Sequence, residues 1–130
     1  IHICGTYNAN GFATGLKLYI NGTQVDDTNS NSGTYVAMEN GNRPLNIGRT
    51  EAAVYSNGNI DETAIFDVEL SASDVTTIYN SGTPSDISSI SGLVSWWRFE
   101  GTGTTATDSG SGGNDGTLTN GVTRSSDVPT

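Results

Sequence analysis

The sequence predicts an all-β fold, an antiparallel β-sandwich with one short helix near residues 72–80. Three observations predict it. Apolar and polar residues alternate in short runs, the period-two pattern of half-buried strands. Turn signals built on Asn and Gly recur roughly every ten residues, as they do in sandwiches. Only residues 71–82 carry helix start and stop signals, and no strand–helix rhythm points to a parallel sheet.

Composition sets the frame. The 130 residues suffice for one domain. Gly, Ser, Thr and Asn supply nearly half of them, which fits many turns or disorder. Two Trp, five Tyr and the alternating runs favour the folded reading. A net charge of −9 argues against nucleic acid, whose phosphates need a basic face, and against anionic membrane surfaces. It suits divalent cations or plain solubility. No stretch approaches the roughly 20 apolar residues of a membrane span, and no signal peptide is recognisable. Cys4 has no cysteine partner and reads as a small buried hydrophobe. The chain opens at Ile1, already in a strand, so the expectation is a processed product or a piece of something longer.

Residues 1–7 place Ile1, Ile3, Gly5 and Tyr7 on one face and His2, Cys4 and Thr6 on the other. After a polar loop, residues 15–20 put Leu16, Leu18 and Ile20 inward and Lys17 and Tyr19 outward. Asn21-Gly22 accepts the positive φ values of a tight hairpin turn, and residues 23–26 return. Strands are expected at 33–38 and 44–49, separated by a turn at Asn40-Gly41, with Pro44 confined to a strand start or an edge. Another strand spans 58–67. Ser71 then caps a helix with Asp74 in capping-box position, Val75, Ile78 and Tyr79 form its apolar face, and Gly82 ends it. Residues 83–91 lack periodicity and read as a linker. Residues 93–100 alternate, a glycine-rich loop covers 101–115, and a short strand at 116–119 precedes a turn at Asn120-Gly121.

Several of these runs carry a resemblance. His2–Tyr7 reads H-I-x-x-T-Y, Leu16–Val25 reads L-K-L-Y-I-N-G-T-x-V, and Leu45–Arg49 reads L-N-I-G-R. Gly58–Phe66 is similar to a G-x-I-D-E strand and Leu70–Asn80 to an L-S-x-x-E-I-x-x-L-Y-N helix. Together they resemble the second half of a laminin-G-like, concanavalin A-like jelly roll. Residues 93–121 resemble the first strand and loop of such a domain, so the usual order is inverted. The implied division is 1–82 as a C-terminal half, 83–91 as a linker, and 92–130 as the start of a following or permuted sandwich. A tandem array, a circular permutant and strand exchange between subunits all satisfy that order, and the tandem or multi-domain origin is favoured. The strands that normally lie between the two signatures have no counterpart.

The Asp-rich loop is the best chemical signal. Asp108, Asn114 and Asp115 meet on a glycine-rich segment, and oxygen ligands on such a loop suit Ca²⁺. The resemblance implies a structural Ca²⁺ there, helped by Asp61 of the G-x-I-D-E strand. Gly110, Ser111 and Gly112 depart from the family's D-S-S-G-N-G-N-D-G loop and remove one side-chain ligand. The bland alternative is a solvated turn. For carbohydrate, Trp96, Tyr19, Tyr35 and Tyr55 are the candidate stacking platforms, from expected outward or loop positions. Trp96 has a second reading, as a cover for a neighbouring sheet. His2 has only Cys4 nearby, too little for zinc. Scattered Glu residues, no E-x-D-x-x-E run and a lone strand histidine give no catalytic constellation, so the protein is expected not to be an enzyme.

These readings converge on a non-catalytic structural or adhesive module of an extracellular or virion-surface assembly, with weak glycan binding. The resemblance implies tandem jelly rolls of the kind found in phage structural proteins and secreted bacterial adhesins. Expected partners are neighbouring domains or subunits and cell-surface glycans, with no nucleic acid and no membrane insertion. A carbohydrate-binding accessory domain of a secreted glycosidase and a strand-exchanging filament subunit are the alternatives.

Overall fold

The protein is described from a computed structural model that covers residues 1–26, 33–36, 41–50 and 52–126. β1 (Ile3–Tyr7), β2 (Leu16–Ile20) and β3 (Thr23–Gln24) form an antiparallel sheet in that order. Asn21 and Gly22 turn the β2–β3 hairpin with φ of 50° and 75°, as their residue types require. β1 pairs with β2 from Ile3 opposite Ile20 to Tyr7 opposite Leu16. That register places Cys4, Thr6, Lys17 and Tyr19 on one face and Ile3, Leu16, Leu18 and Ile20 on the other.

The covered face is opposite to the one expected. Tyr19 is 2% exposed and packs with Leu70 and Val75, flanked by Cys4, Phe66, Ile78 and Ile90. Leu16 and Leu18, expected inward, are exposed. The helix decides this. α1 (Ala72–Tyr79) turns Val75 and Ile78 onto the Tyr19 face, and a sheet with apolar residues on both sides is covered where its partner lands.

α1 forms as its sequence dictates. Ser71 Oγ accepts the Asp74 N–H at 3.1 Å, and Asp74 Oδ2 accepts the Ser71 N–H at 2.9 Å, which completes the capping box. The left-handed turn begins at Asn80, earlier than the expected Gly82, and runs through Ser81 to Gly82.

β4 (Thr63–Phe66) pairs antiparallel with β5 (Leu93–Trp97), from Thr63 opposite Trp97 to Phe66 opposite Leu93, with an irregularity after Ile65. The segment that resembles a domain's end thus shares a sheet with the one that resembles a domain's beginning. Between them Ile87 is buried and Ile90 packs on the Tyr19 cluster. β6 (Thr105–Ala106) and β7 (Gly116–Thr117) form a third small sheet, β6 lying inside the stretch expected to be loop. Antiparallel sheets with one short helix among the described residues are the all-β architecture expected of an incomplete sandwich.

Two expected strands are not seen. Residues 33–36 and 41–50 hold no strand, only a bridge from Arg49 to Tyr55, while residues 37 and 38 and the turn residue Asn40 lie outside the described residues. The 58–67 strand shrinks to β4 because Glu62 has a left-handed φ of 51°, which interrupts extended backbone.

Replacing Ser71 by Ala is expected to lower the unfolding free energy by about 1 kcal/mol. A shifted urea midpoint at constant slope would show it. The Ser71 hydroxyl first, and its N–H second, hold the Asp74 carboxyl below the ordinary aspartate range. By linkage, the carboxylate's share of the cap is full above the ordinary aspartate pKa and is lost as pH falls through the lower folded value. The gap between the wild-type and Ser71→Ala stability curves should therefore narrow in acid, to what the bond from the Asp74 N–H to Ser71 Oγ contributes.

Candidate functional site

The β4–β5 pair organises the chemistry. Trp96, opposite Ala64, is 4% exposed, and its indole N–H donates to Glu62 Oε2 at 2.6 Å. A buried indole needs such an acceptor. The Arg98 guanidinium lies 4.9 Å from the centroid of the Trp96 ring and 3.6 Å from Glu62 Oε1. Glu62 holds its left-handed backbone at a cost of about 1–2 kcal/mol, and these contacts keep it there. Burial pushes the Glu62 carboxyl above its ordinary value, against the smaller opposing pull of the Trp96 N–H and Arg98. Asp61 is also raised, chiefly by burial, with the Glu62 N–H opposing and Glu100 repulsion adding to it.

On the other edge of β5 lies the 108–116 loop. Asp108 Oδ1 accepts the N–H groups of Trp96 and Gly110, both at 2.8 Å, and Oδ2 accepts that of Asn114 at 2.9 Å. Asp115 Oδ1 accepts the Asp108 N–H at 2.8 Å. The Trp97 indole donates to the Asn114 carbonyl, and the Asn114 side-chain amide donates to Ser95 Oγ. Burial alone would raise the Asp108 carboxyl. The N–H donors of Trp96, Asn114 and Gly110, with the Ser95 hydroxyl, outweigh it and hold the group below its ordinary value.

Beyond this loop an open cleft of about 940 Å³ is lined by Ile47, Tyr55, Asp61, Trp97, Phe99 and Arg98, among others. Tyr55 is 52% exposed, and its hydroxyl accepts a bond from the Asn120 amide at 3.4 Å. Arg124 closes one end by donating to the carbonyls of Phe99, Gly103 and Thr105.

The family model for the concanavalin A-like lectin/glucanases superfamily, Laminin_G_3, matches residues 1–76, more than half of the chain. The chain belongs to that superfamily. No curated protein and no solved structure matches it. Within this superfamily domain the match covers β1 to β4 and the first turn of α1, including Asp61, while β5 and the 108–116 loop lie beyond it.

The expected carbohydrate platforms separate. Tyr19 is a core residue, a correction that follows from the face α1 covers, and Trp96 is buried between Glu62 and Arg98 and offers no ring face to a sugar. Tyr35 and Tyr55 are exposed, and Tyr55 lines the cleft. The expected Ca²⁺ ligands also separate. Asp108 faces β5 from the loop, while Asn114 and Asp115, from the same loop, line the cleft with Asp61. Among the described residues no three His, Cys, Asp or Glu side chains converge to hold a metal ion. Asp108 does not fit the cation, because N–H groups rather than open space face its oxygens. Sequence reasoning missed Glu62 as the partner of Trp96 and Arg124 as a brace. A Glu flanking a strand whose neighbour holds a buried Trp is the signal that could have found the first.

In this superfamily domain Trp96→Ala is expected to act on folding. It should cost about 3–5 kcal/mol, much of a small domain's stability, read by urea denaturation. A variant of unchanged stability would return Trp96 to the surface.

Proposed function

We propose that this superfamily domain is a non-catalytic structural and adhesive module of an extracellular or virion-surface assembly, which works by seating the open face of β1–β2 on a neighbouring domain or subunit. One observation carries the reading. Ile3, Leu16 and Leu18 are 65%, 54% and 42% exposed on one face of a sheet whose other face buries Tyr19. A strand pair with apolar residues on both sides belongs between two layers, and contiguous exposed apolar side chains mark association surfaces. Support for a non-catalytic role comes from the titratable groups. The Glu62 carboxylate is engaged by Trp96 and Arg98, and the His2 ring lies against Tyr79, 5.9 Å between centroids. Among the described residues no helix is long and apolar enough to cross a membrane.

The isolated chain should bind a hydrophobic dye or self-associate as concentration rises in sedimentation equilibrium. The double variant Leu16→Asp, Leu18→Asp should abolish either behaviour while keeping the β-sheet circular dichroism spectrum. A dye-silent monomeric wild type would contradict the docking role, as would a double variant that unfolds.

A glycan role has its own support in the cleft, where Tyr55 stands beside polar neighbours. Weak, sugar-competed binding on a glycan array should fall at least about tenfold in Tyr55→Ala, the loss of one stacking contact by the 1.4 kcal/mol-per-decade relation. Binding indifferent to that substitution would remove the cleft from the account.

A further inference from the structure

The acidic loop carries an inference of its own, because its geometry disagrees with the cation its sequence suggests. We propose that residues 108–116 form a cation-independent clasp that closes the outer edge of β5, with the Asp108 carboxylate as its organising charge. The edge of β5 away from β4 would otherwise present unpaired backbone groups to other chains. The loop takes them up in turn. The Trp96 N–H donates to Asp108 Oδ1, the Ser109 N–H donates to the Trp96 carbonyl at 2.8 Å, and the Gly112 N–H donates to the Val94 carbonyl at 2.7 Å. Ser111 Oγ donates to the Leu93 carbonyl at 3.2 Å. The loop is thus tied to the strand at Leu93, Val94 and Trp96.

The polarity of the lacing leaves Ca²⁺ no part as its organiser at Asp108. Three backbone N–H groups point their positive ends at Asp108, from Trp96, Gly110 and Asn114. They supply the positive potential that a cation would supply. A Ca²⁺ ion needs 6–8 oxygens at 2.3–2.6 Å, and here Asp115 Oδ1 and the Asn114 carbonyl already accept N–H groups. Nor is there room between loop and strand. A Cβ on Gly110 would lie 2.4 Å from the Val94 carbonyl oxygen, and one on Gly112 would lie 3.0 Å from the same atom. The glycines are there for close approach of two backbones, which is a different use from turning carbonyls toward an ion.

The test uses the full chain. Amide exchange and thermal melting are measured in millimolar CaCl₂ and in EGTA, for wild type, Asp108→Asn and Asp115→Asn, with calorimetric titration of CaCl₂ into wild type. The wild type should give the same melting temperature and the same protection of the Trp96, Gly110 and Asn114 amides in both buffers, and no binding heat. Asp108→Asn exchanges one accepting oxygen for a nitrogen that cannot accept. It should lower protection at least about tenfold at one or more of those three amides while the Tyr19 amide in β2 is unchanged, as for a local opening. A saturable Ca²⁺-dependent rise in melting temperature that Asp115→Asn removes would overturn the proposal. So would full protection of the three amides in Asp108→Asn. Should Asp108→Asn fail to fold, the wild-type titration still decides: silence supports the clasp, and saturable heat refutes it.

Discussion

The antiparallel pairing of β4 with β5 is the interaction on which the rest of the molecule depends. It joins chain positions about thirty residues apart into one ladder, from Thr63 opposite Trp97 to Phe66 opposite Leu93. Every feature of the site hangs from it. Trp96 is buried because Glu62, just before β4, accepts the hydrogen bond of its indole N–H, and Arg98, just after β5, covers the ring. Trp97 reaches Asn114 from the same strand, so the loop that holds β5's outer edge is anchored through both tryptophans as well as through the strand's carbonyls. The intervening helix lies against the Tyr19 face of the other sheet.

That arrangement leaves the molecule two-sided. Lys17 pairs with Glu69, Arg98 lies beside Glu62 and Glu100, and Arg124 is spent on loop carbonyls. With these cations engaged, the excess of acid sets the long-range field. Like charge opposes encounter between copies and is screened by salt. The uncovered Ile3, Leu16 and Leu18 favour burial at short range. A surface of this kind selects partners by fit to an apolar face and rejects chance contacts by charge, which suits a module built into an ordered assembly.

Some local signals are legible in the sequence. Ser71 and Asp74 specify their own hydrogen bonds, and Asn21-Gly22 specifies its own turn, because all the atoms involved are within a few residues. The face of β1–β2 was not legible, since alternation separates Leu16 and Leu18 from Tyr19 without saying which set meets the helix. Where both sets are apolar, only tertiary contact chooses. Trp96 shows the same limit in another form. An outward position and a buried one differ by whether a distant acceptor arrives, and Glu62 arrives from 34 residues away. The Asp108 loop was legible as a special segment but not in its sign. Oxygen-rich, glycine-rich sequence serves equally to surround a cation or to accept N–H groups from a neighbouring strand, and only the orientation of those donors separates the two.

In this structure β4 and β5 of one and the same chain close on each other. Mixing ¹⁵N-labelled with ¹³C-labelled protein, refolding the mixture, and recording isotope-filtered NOE spectra tests it directly. Cross-strand contacts between Ala64 and Trp96, and between Thr63 and Trp97, should appear only within a chain, at every mixing ratio. Contacts between differently labelled chains at those pairs would mean that the strands are exchanged between molecules, and the self-closing account would be wrong.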